Sequence, residues 1–307
     1  TDVDITGDVI SIFLSNGDLG TTNTTAGSAI QTAVNSLTVV MFTANRNMFL
    51  LEENGLADLR LSAGATGEVH FATADAGDVL SSDETGVGGA TEDITAAKAF
   101  ITILDGKFGA NSTAAGNAIE TKVDELTVNT SGGGKDQFIR ETDGLSLLNL
   151  NAGSGNVSLF AGGAITDTGA SNTTTDVIAN IFTVTATGGI ATIANPLDTE
   201  VSTLNATNNT SGDIVIANHQ SSDGALEISG ILQSGDDVDV TNQGTLNVTG
   251  LIRGTANNST LSLAAIESSG TENLTVGNGA VIEVTGTGGT IALSAGDDVT
   301  LNAGSRV

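Results

Sequence analysis

The amino-acid sequence predicts an all-β protein with a few short helices, folded as a right-handed parallel β-helix, or β-solenoid, of imperfect repeats. Three observations support this fold class: a long internal repeat, short runs of alternating polar and apolar residues, and few aromatic residues. The runs, such as "VISIFL" from Val9 and "TLNVT" from Thr245, are typical of strands and are separated by turns rich in Gly, Asn, Asp and Ser. Crossovers between parallel strands are almost always right-handed, which gives the expected hand.

The internal repeat is about 90 residues long. "AGSAIQTAVNSLTV" from Ala26 returns as "AGNAIETKVDELTV" from Ala115, with nine identities in fourteen positions and an offset of 89. The same offset relates "FLLEENGLADLRL" from Phe49 to "FIRETDGLSLLNL" from Phe138. These matches divide the chain into a first repeat unit (1–90), a second (91–173), a divergent third (174–230) and a continuation of short strands (231–307).

The single proline, Pro196, lies in a third copy of one element of the repeat. "NPLDTEVSTL" from Asn195 aligns with "SAIQTAVNSL" from Ser28 and "NAIETKVDEL" from Asn117. Ser or Asn followed three residues later by Gln, Glu or Asp resembles a helix-capping box, and proline is favoured at the first helical position. Because apolar residues follow at helical spacing, the sequence predicts a short helix here in each long unit. An extended conformation is the alternative, since Thr and Val are abundant.

A set of β-sandwich domains is the alternative architecture. Sandwiches need separate cores and usually aromatic anchors. This chain has nine Phe, no Trp and no Tyr. A solenoid instead stacks short aliphatic strands, so that each coil buries its neighbour. The composition therefore favours the solenoid.

Charge and cysteine content exclude several classes of function. The chain has 9 Lys and Arg against 36 Asp and Glu, a formal net charge of −27. Such a surface repels phosphate backbones and anionic lipids, so we expect no nucleic-acid partner. No apolar run is long enough for a membrane-spanning helix, so we expect no membrane insertion. The absence of cysteine excludes disulfides and thiolate chemistry.

The search for an active site identifies no catalytic, cofactor-binding or metal-binding residue. The two histidines, His70 and His219, lie in different units, so no shared catalytic or metal role is predicted. "SGGGK" from Ser131 lacks the spacing of a phosphate-binding loop and is interpreted as a flexible corner insertion. We therefore predict that the protein is not an enzyme and has no cofactor.

Two alternatives remain open. A polysaccharide-active β-helix enzyme would need converging carboxylates, usually with aromatic platforms; carboxylates are plentiful, for example Asp236, Asp237 and Asp239, but platforms are scarce. A calcium-dependent binding module could use the oxygen ligands of "GDD" at Gly235 and Gly296 and of "SSDET" at Ser81. Neither an EF-hand loop nor the glycine-rich calcium repeat is present, so solvated acidic corners are the favoured interpretation.

A family resemblance points to an exported protein. "ANPLDTEVSTLNATNNTSGDIVIAN" from Ala194 resembles the units of giant bacterial β-strand-repeat surface proteins, which are related in style to filamentous-haemagglutinin-type adhesins. "FLLEENGL" and "FIRETDGL" are similar to the Glu-x-x-Gly-Leu part of such units, and the resemblance is best over residues 1–230. It implies an extracellular or cell-surface fibrous protein, an adhesin stalk or a filament or coat subunit. A surface receptor or a polysaccharide would be its partner, with the insertions 75–93 and 129–136 as candidate receptor surfaces.

Both ends of the sequence lie within the repeat pattern and carry no polar cap. Solenoids need such caps to prevent pairing of their open edges. We therefore expect either a segment of a longer chain or a subunit that associates with other copies, end to end or laterally.

Overall fold

The computed structural model describes residues 3–43, 45–81, 92–114, 117–168, 174–219, 224–266 and 270–307. Within them the chain forms β-strands and no helix. The strands are β1 (Ile5–Thr6), β2 (Val9–Leu14), β3 (Ile30–Ala33), β4 (Ser36–Met41), β5 (Met48–Glu52), β6 (Asp58–Ser62), β7 (Glu68–Thr73), β8 (Ile94–Thr95), β9 (Lys98–Thr102), β10 (Ile119–Lys122), β11 (Glu125–Asn129), β12 (Gln137–Glu141), β13 (Leu147–Asn151), β14 (Val157–Ala161), β15 (Val177–Ala186), β16 (Leu197–Asn208), β17 (Ile214–Asn218), β18 (Leu226–Gln233), β19 (Val238–Gln243), β20 (Leu246–Gly254), β21 (Thr260–Ile266), β22 (Leu274–Val276), β23 (Val281–Val284), β24 (Thr290–Ala295) and β25 (Val299–Leu301).

The chain divides into two compact units, residues 1–160 and 161–307. In the first unit each strand pairs in parallel with the strand two places further on, which gives two ladders. One ladder begins β1–β3–β5–β7 and the other β2–β4–β6–β8. Each coil therefore contributes one strand to each ladder, and the predicted parallel β-solenoid is confirmed.

The second unit has the same parallel stacking with longer strands. β15 and β16 pair over nine residue positions. The first part of β16 then pairs with β17 and its second part with β18, with a register shift between Leu204 and Asn205. β17, β19, β21 and β24 continue one ladder, and β18 and β20 continue the other. One long strand thus serves two ladders.

Alternating side chains fill the interior of each coil. In β4 the inward residues are Leu37, Val39 and Met41, while the residues between them face outward. Leu37 lies in register with Leu59 of β6, and Val39 with Leu61. All four are at most 1% exposed, and burying a side chain of this size contributes roughly 1.5–3 kcal/mol. These four side chains therefore stack in an apolar interior between neighbouring coils.

The predicted short helices are wrong. The elements that begin at Ser28 and Asn117 each form a strand, a corner and a second strand, and the element at Asn195 leads into β16. Two strands of alternating residues separated by a two-residue corner place apolar side chains at intervals of three and four, which imitates helical spacing. The extended alternative, favoured by Thr and Val, is correct.

Pro196 lies directly before β16. Residues 192–195 form a tight turn closed by two backbone hydrogen bonds, of 3.1 and 3.0 Å, between Thr192 and Asn195. The ladder then begins at Leu197, which pairs with Ile216. Proline has no N–H to donate, so it fits at this position outside the ladder.

The glycine-rich segment from Ser131 to Lys135 is a compact turn packed between neighbouring coils, not a loose insertion. A Cβ on Gly132 would lie 2.4 Å from the Leu104 carbonyl oxygen. Gly134 has a φ of 59°, and its Cβ would lie 2.4 Å from the Ser154 Oγ. Glycine is therefore needed for close approach and for a left-handed backbone.

The 89-residue repeat is also a repeat of strands. Displacing β1 and β3 by 89 residues gives the bounds of β8 and β10. The same displacement of β5 and β6 gives β12 and β13. The first copy (residues 4–63) and the second copy (residues 93–152) therefore share one backbone plan.

Candidate functional site

A buried acceptor side chain recurs at the same corner in three coils. In the first copy, the Glu52 carboxylate accepts hydrogen bonds from the Thr32 Oγ1 (2.5 Å) and the Val34 N (3.0 Å). In the second copy, Glu141 accepts from the Thr121 Oγ1 (2.6 Å) and the Val123 N (3.3 Å). Both carboxyl groups are completely buried.

The third occurrence uses an amide. The Asn218 Oδ1 accepts from the Thr199 Oγ1 and the Val201 N, both at 2.9 Å. Asn218 Nδ2 donates to the Val201 carbonyl and, at 2.7 Å, to the Asn242 Oδ1. Because the neutral amide of Asn218 accepts the same two hydrogen bonds, this corner requires a hydrogen-bond acceptor rather than a negative charge.

Burial controls the protonation of these carboxyl groups. The pKa of Glu141 is raised to about 8, mainly by desolvation and also by the charge of Asp143, while the hydrogen bond from the Thr121 hydroxyl lowers it. Desolvation also raises the pKa of Glu52. A raised carboxyl pKa often marks a catalytic acid, but here it follows from the structural position.

Aspartates connect successive coils. Their carboxylates accept backbone N–H groups of an adjacent coil, as the following set does: Asp4, Asp18, Asp78, Asp93, Asp136, Asp176, Asp213, Asp237 and Asp297. Such charge-assisted bonds satisfy corner donors that the ladders leave unpaired. Many of the acidic corners are thus bonded to backbone rather than only solvated.

Two of the acidic segments considered as calcium ligands, "GDD" at Gly235 and at Gly296, use an aspartate to bond the backbone of an adjacent coil. Asp237 accepts the Thr260 N at 2.6 Å, and Asp297 accepts the Glu272 N at 3.1 Å. Of "SSDET" only Ser81 lies among the described residues, and 82–91 of the 75–93 insertion lie outside them. Within the part of the chain that the structure describes, no group of three or more His, Asp or Glu residues is placed to hold a metal ion.

The two histidines lie in separate units and have local contacts. The His70 ring stacks between Phe49 and Phe100, with centroid distances of 4.5 and 4.7 Å, and its Nε2 lies 3.0 Å from the Glu68 carboxylate. The His219 Nε2 lies 3.4 Å from the Asp198 Oδ1. The absence of a shared role stays a prediction.

A buried acidic pair beside His219 was not predicted. The Asp198 N donates to the Asp176 Oδ2 at 2.9 Å, and both residues are buried. Desolvation, with the charges of Asp167 and Asp198, raises the pKa of Asp176 to about 7. The same bond joins Asp4 to Gln31 and Asp93 to Glu120. The repeated "DIT" at the two earlier aspartates was the sequence signal for this position.

A pocket of about 200 Å³ lies at a corner of the second copy. Its lining is Ala65, Thr95, Ala96, Lys122, Val123, Asp124 and Asp143. The backbone N–H groups of Val123 and Asp143 donate to Glu141, so the pocket wall contacts the buried carboxyl. The pocket is smaller than typical small-molecule sites, which measure roughly 300–1,000 Å³. Sequence reasoning missed it because its residues come from different coils.

An exposed apolar surface lies on the first copy. We call Val9, Phe13, Val40 and Phe42 the aromatic patch. Val9, Phe13 and Phe42 are 66%, 61% and 70% exposed. Phe13 pairs in register with Val40, and the two phenyl rings are nearly parallel with centroids 6.2 Å apart. These side chains face outward because Ile10, Ile12 and Leu14 occupy the inward positions of β2.

Polar groups lie beside the patch on the same two corners. The Arg46 guanidinium donates to the Asn16 Oδ1 at 2.8 Å. The Thr43 hydroxyl donates to the Ser15 carbonyl. The aromatic patch thus has hydrogen-bonding groups at one end.

Comparisons with known proteins found no family model, no curated protein and no solved structure that matches the chain. The described residues contain no helix that is long and apolar enough to cross a membrane. The resemblance to bacterial surface proteins therefore stays a prediction.

Proposed function

We propose that this chain is a structural, non-enzymatic β-solenoid that works outside the cell or at its surface, as part of an adhesin stalk or as a filament or coat subunit. One observation carries the proposal: the polar side chains of the interior and of many corners are used to join one coil to the next. Glu52, Glu141 and Asn218 close the same corner in three coils. Because each coil is bonded to the next, neighbouring coils stabilise each other, which suits a structural element.

The charge of the chain fits a structural role without a nucleic-acid partner. A net charge of −27 keeps such a surface soluble and repels nucleic acid. The lack of cysteine makes its stability independent of redox conditions. The resemblance of residues 194–218 to bacterial surface proteins supports a location outside the cell.

Assembly with other copies is part of the proposal. Among the described strands, β2 pairs only with β4, and β24 pairs only with β21. An unpaired strand edge can accept a further strand, whether that strand belongs to the same chain or to another copy. Asp8 lies near the first edge and Asp297 near the other, so like charges oppose contact between them, and high salt should promote it.

Localisation tests the surface role. Intact cells of the source organism would be treated with a protease that does not enter them, and the surviving protein would be quantified in each cell fraction. Loss from intact cells, or recovery from the medium, is expected. Recovery of the protein from the cytosol, protected from protease, would overturn the proposal.

Assembly is tested separately by sedimentation of the full chain. Larger species are expected as sodium chloride rises from low concentration to about 1 M, because screening weakens the repulsion. A monomer at every salt and protein concentration would contradict the assembly.

A polysaccharide-active enzyme is the second candidate, and the corner pocket beside Glu141 is the observation that favours it. Its test is release of reducing ends from soluble polysaccharides, with Glu141→Gln as the variant. Turnover by the wild type that is lost in the variant would establish the enzyme. No turnover on any polysaccharide is expected.

A further inference from the structure

The aromatic patch is not required by the fold. In the second copy the positions of Val9, Phe13, Val40 and Phe42 are held by Lys98, Thr102, Asn129 and Ser131. The strands β2 and β4 nevertheless begin at positions equivalent to those of β9 and β11 and pair in parallel in the same register, although each runs one residue longer. The same strands therefore form with polar residues at these four positions, even though the second copy carries Phe100 where the first has Ser11, so the apolar residues of the first copy need another explanation.

In the single chain the rings of the patch are exposed to solvent and accessible to a ligand. In the column of Phe49, His70 and Phe100, ring centroids are 4.5 and 4.7 Å apart, so neighbouring rings cover each other's faces. Phe13 and Phe42 are 6.2 Å apart and mostly exposed. Phe13, Val40 and Phe42 are neighbours, whereas the outward Ser11 separates Val9 from Phe13. Adjacent exposed apolar groups commonly mark binding sites.

The size of the patch argues for a thin ligand rather than a folded partner. A stable protein interface buries about 800 Å² on each side and involves about 20–30 residues. The aromatic patch has four side chains. A single extended chain laid across two rings matches this size better.

The chemistry of the patch suits a sugar chain without charge. The face of an aromatic ring is electron-rich and attracts the C–H groups of a sugar ring. The Arg46 and Asn16 side chains at one end can exchange hydrogen bonds with hydroxyl groups. The net charge of −27 opposes sulfated or uronic-acid chains. We propose that the aromatic patch, with Asn16 and Arg46, binds an uncharged polysaccharide chain.

This inference names a partner for the proposed surface role and rests on it only for the setting in which the chain would meet polysaccharide. Binding to purified glycan is measured in vitro. A failure to bind would leave the localisation test untouched, and a cytosolic location would leave the binding result standing.

The experiment measures binding of the full chain to soluble hexamers of β-1,4-linked glucose and of β-1,4-linked N-acetylglucosamine, with heparin as the charged comparison. The variant is Phe13→Thr with Phe42→Ser, which installs the residues of the second copy. Ile193→Thr, which alters a 65% exposed apolar residue of the second unit, is the matched control. Circular dichroism and thermal unfolding should be unchanged in both variants.

We expect the wild type and the Ile193→Thr control to bind at least one uncharged hexamer, and the double variant to bind it at least tenfold more weakly. Absence of binding to both uncharged hexamers would overturn the proposal. Equal binding by the folded double variant would overturn it too, as would preferential binding of heparin. Concentration-dependent dimers of the wild type that the double variant lacks, without glycan binding, would instead assign the patch to contact between copies.

Discussion

The first and second copies have largely the same interior, apart from Met41 and Met48, which are replaced by the buried Thr130 and Gln137, and they have different exteriors. Leu61 and Leu150 occupy equivalent inward positions, and Glu52 and Glu141 close equivalent corners. On the outside, Phe13 is replaced by Thr102. The comparison separates the residues that specify the coil from those that are free to acquire other chemistry.

Corner backbones are as well preserved as the interior. Gly20 and Gly109 have φ values of 78° and 85°. Asn45 has a φ of 56° where Gly134 of the second copy has 59°. Asn is among the few side chains that tolerate this left-handed region. The conformation of the turn is therefore retained while the residue that adopts it changes.

The equivalence of the chain in the two copies ends at the turn that follows each of them, before β7 and β14. Val69 and Phe71 face inward in β7, and Val157 and Leu159 face inward in β14, an offset of 88 rather than 89. A slip of one residue within a strand would turn its apolar side chains outward. The turn before β14 is one residue shorter than the turn before β7 when measured to the first inward residue. The apolar side chains of both strands therefore still face inward.

Truncation of the equivalent leucines is expected to have the largest effect. Leu61→Ala and Leu150→Ala each remove a completely buried side chain and should destabilise the protein by about 2–5 kcal/mol. Chemical denaturation of each variant measures the loss. Losses within about 1 kcal/mol of each other are expected if the copies are energetically equivalent, and a larger gap would break the comparison.

The buried glutamates should make stability fall as pH rises. The folded pKa of Glu141, about 8, is above the value of 4.5 in the unfolded chain, so the folded state holds a proton that the unfolded chain releases. This contribution is fully present below about pH 4.5 and is lost as pH rises through about 8. Each pKa unit corresponds to about 1.4 kcal/mol, so the change amounts to a few kcal/mol.

Glu141→Gln should therefore gain stability relative to the wild type as pH increases from 5 to 9, measured by urea unfolding at each pH. The amide has a model in Asn218, whose Nδ2 donates to the Val201 carbonyl. Glu52→Gln should change in the same direction, because burial raises the pKa of Glu52 too. A pH-independent difference between Glu141→Gln and the wild type would refute this account.

Replacing the equivalent glycines Gly20 and Gly109 by alanine should lower the free energy of unfolding by less than the leucine truncations do. A Cβ on Gly109 would lie 2.5 Å from the Phe138 carbonyl oxygen, and one on Gly20 would lie 2.8 Å from the Phe49 carbonyl oxygen. The left-handed backbone adds roughly 1–2 kcal/mol in each variant. Gly17 also has a positive φ, 100°, but open space around it, so Gly17→Ala isolates the backbone term.

We expect thermal unfolding to rank Gly17→Ala as the mildest of the three and Gly109→Ala as the most damaging. An equal loss of thermal stability in all three variants would mean that steric contact between the new Cβ and the neighbouring coil adds nothing to the destabilisation.

The interior was predictable from the sequence because it follows a simple rule. Alternation places Leu37 and Val39 on one face, and parallel stacking needs only that each coil repeats the pattern. The sequence offset of 89 likewise anticipated the recurrence of Glu52 at Glu141. What failed was the corner between Ala33 and Ser36: a corner resets the alternation, and the resulting spacing is the same as that of a helix.

The candidate sites were less predictable, since they depend on which coils are neighbours. Lys122 and Asp143 meet at the corner pocket only because two coils of different length bring them together. The raised pKa of Asp176 depends on burial next to Asp198, which lies 22 residues further on in the next coil. The aromatic patch could have been found by asking where the two copies differ in polarity on outward positions.

A single charge at the edge of the patch should have the smallest effect. In the second copy the Lys135 Nζ lies 3.3 Å from the Asp105 carboxylate, where the first copy has Arg46 and the uncharged Asn16. Asn16→Asp should create the equivalent ion pair and stabilise the protein by less than about 1 kcal/mol, because such exposed pairs are weak. Asp105→Asn should cost a similar amount. Urea unfolding of both variants and the wild type is measured in about 20 mM and about 1 M salt. Screening at high salt should remove the difference in stability between each variant and the wild type. Destabilisation by Asn16→Asp at low salt would mean that the overall charge of −27 outweighs the local pair.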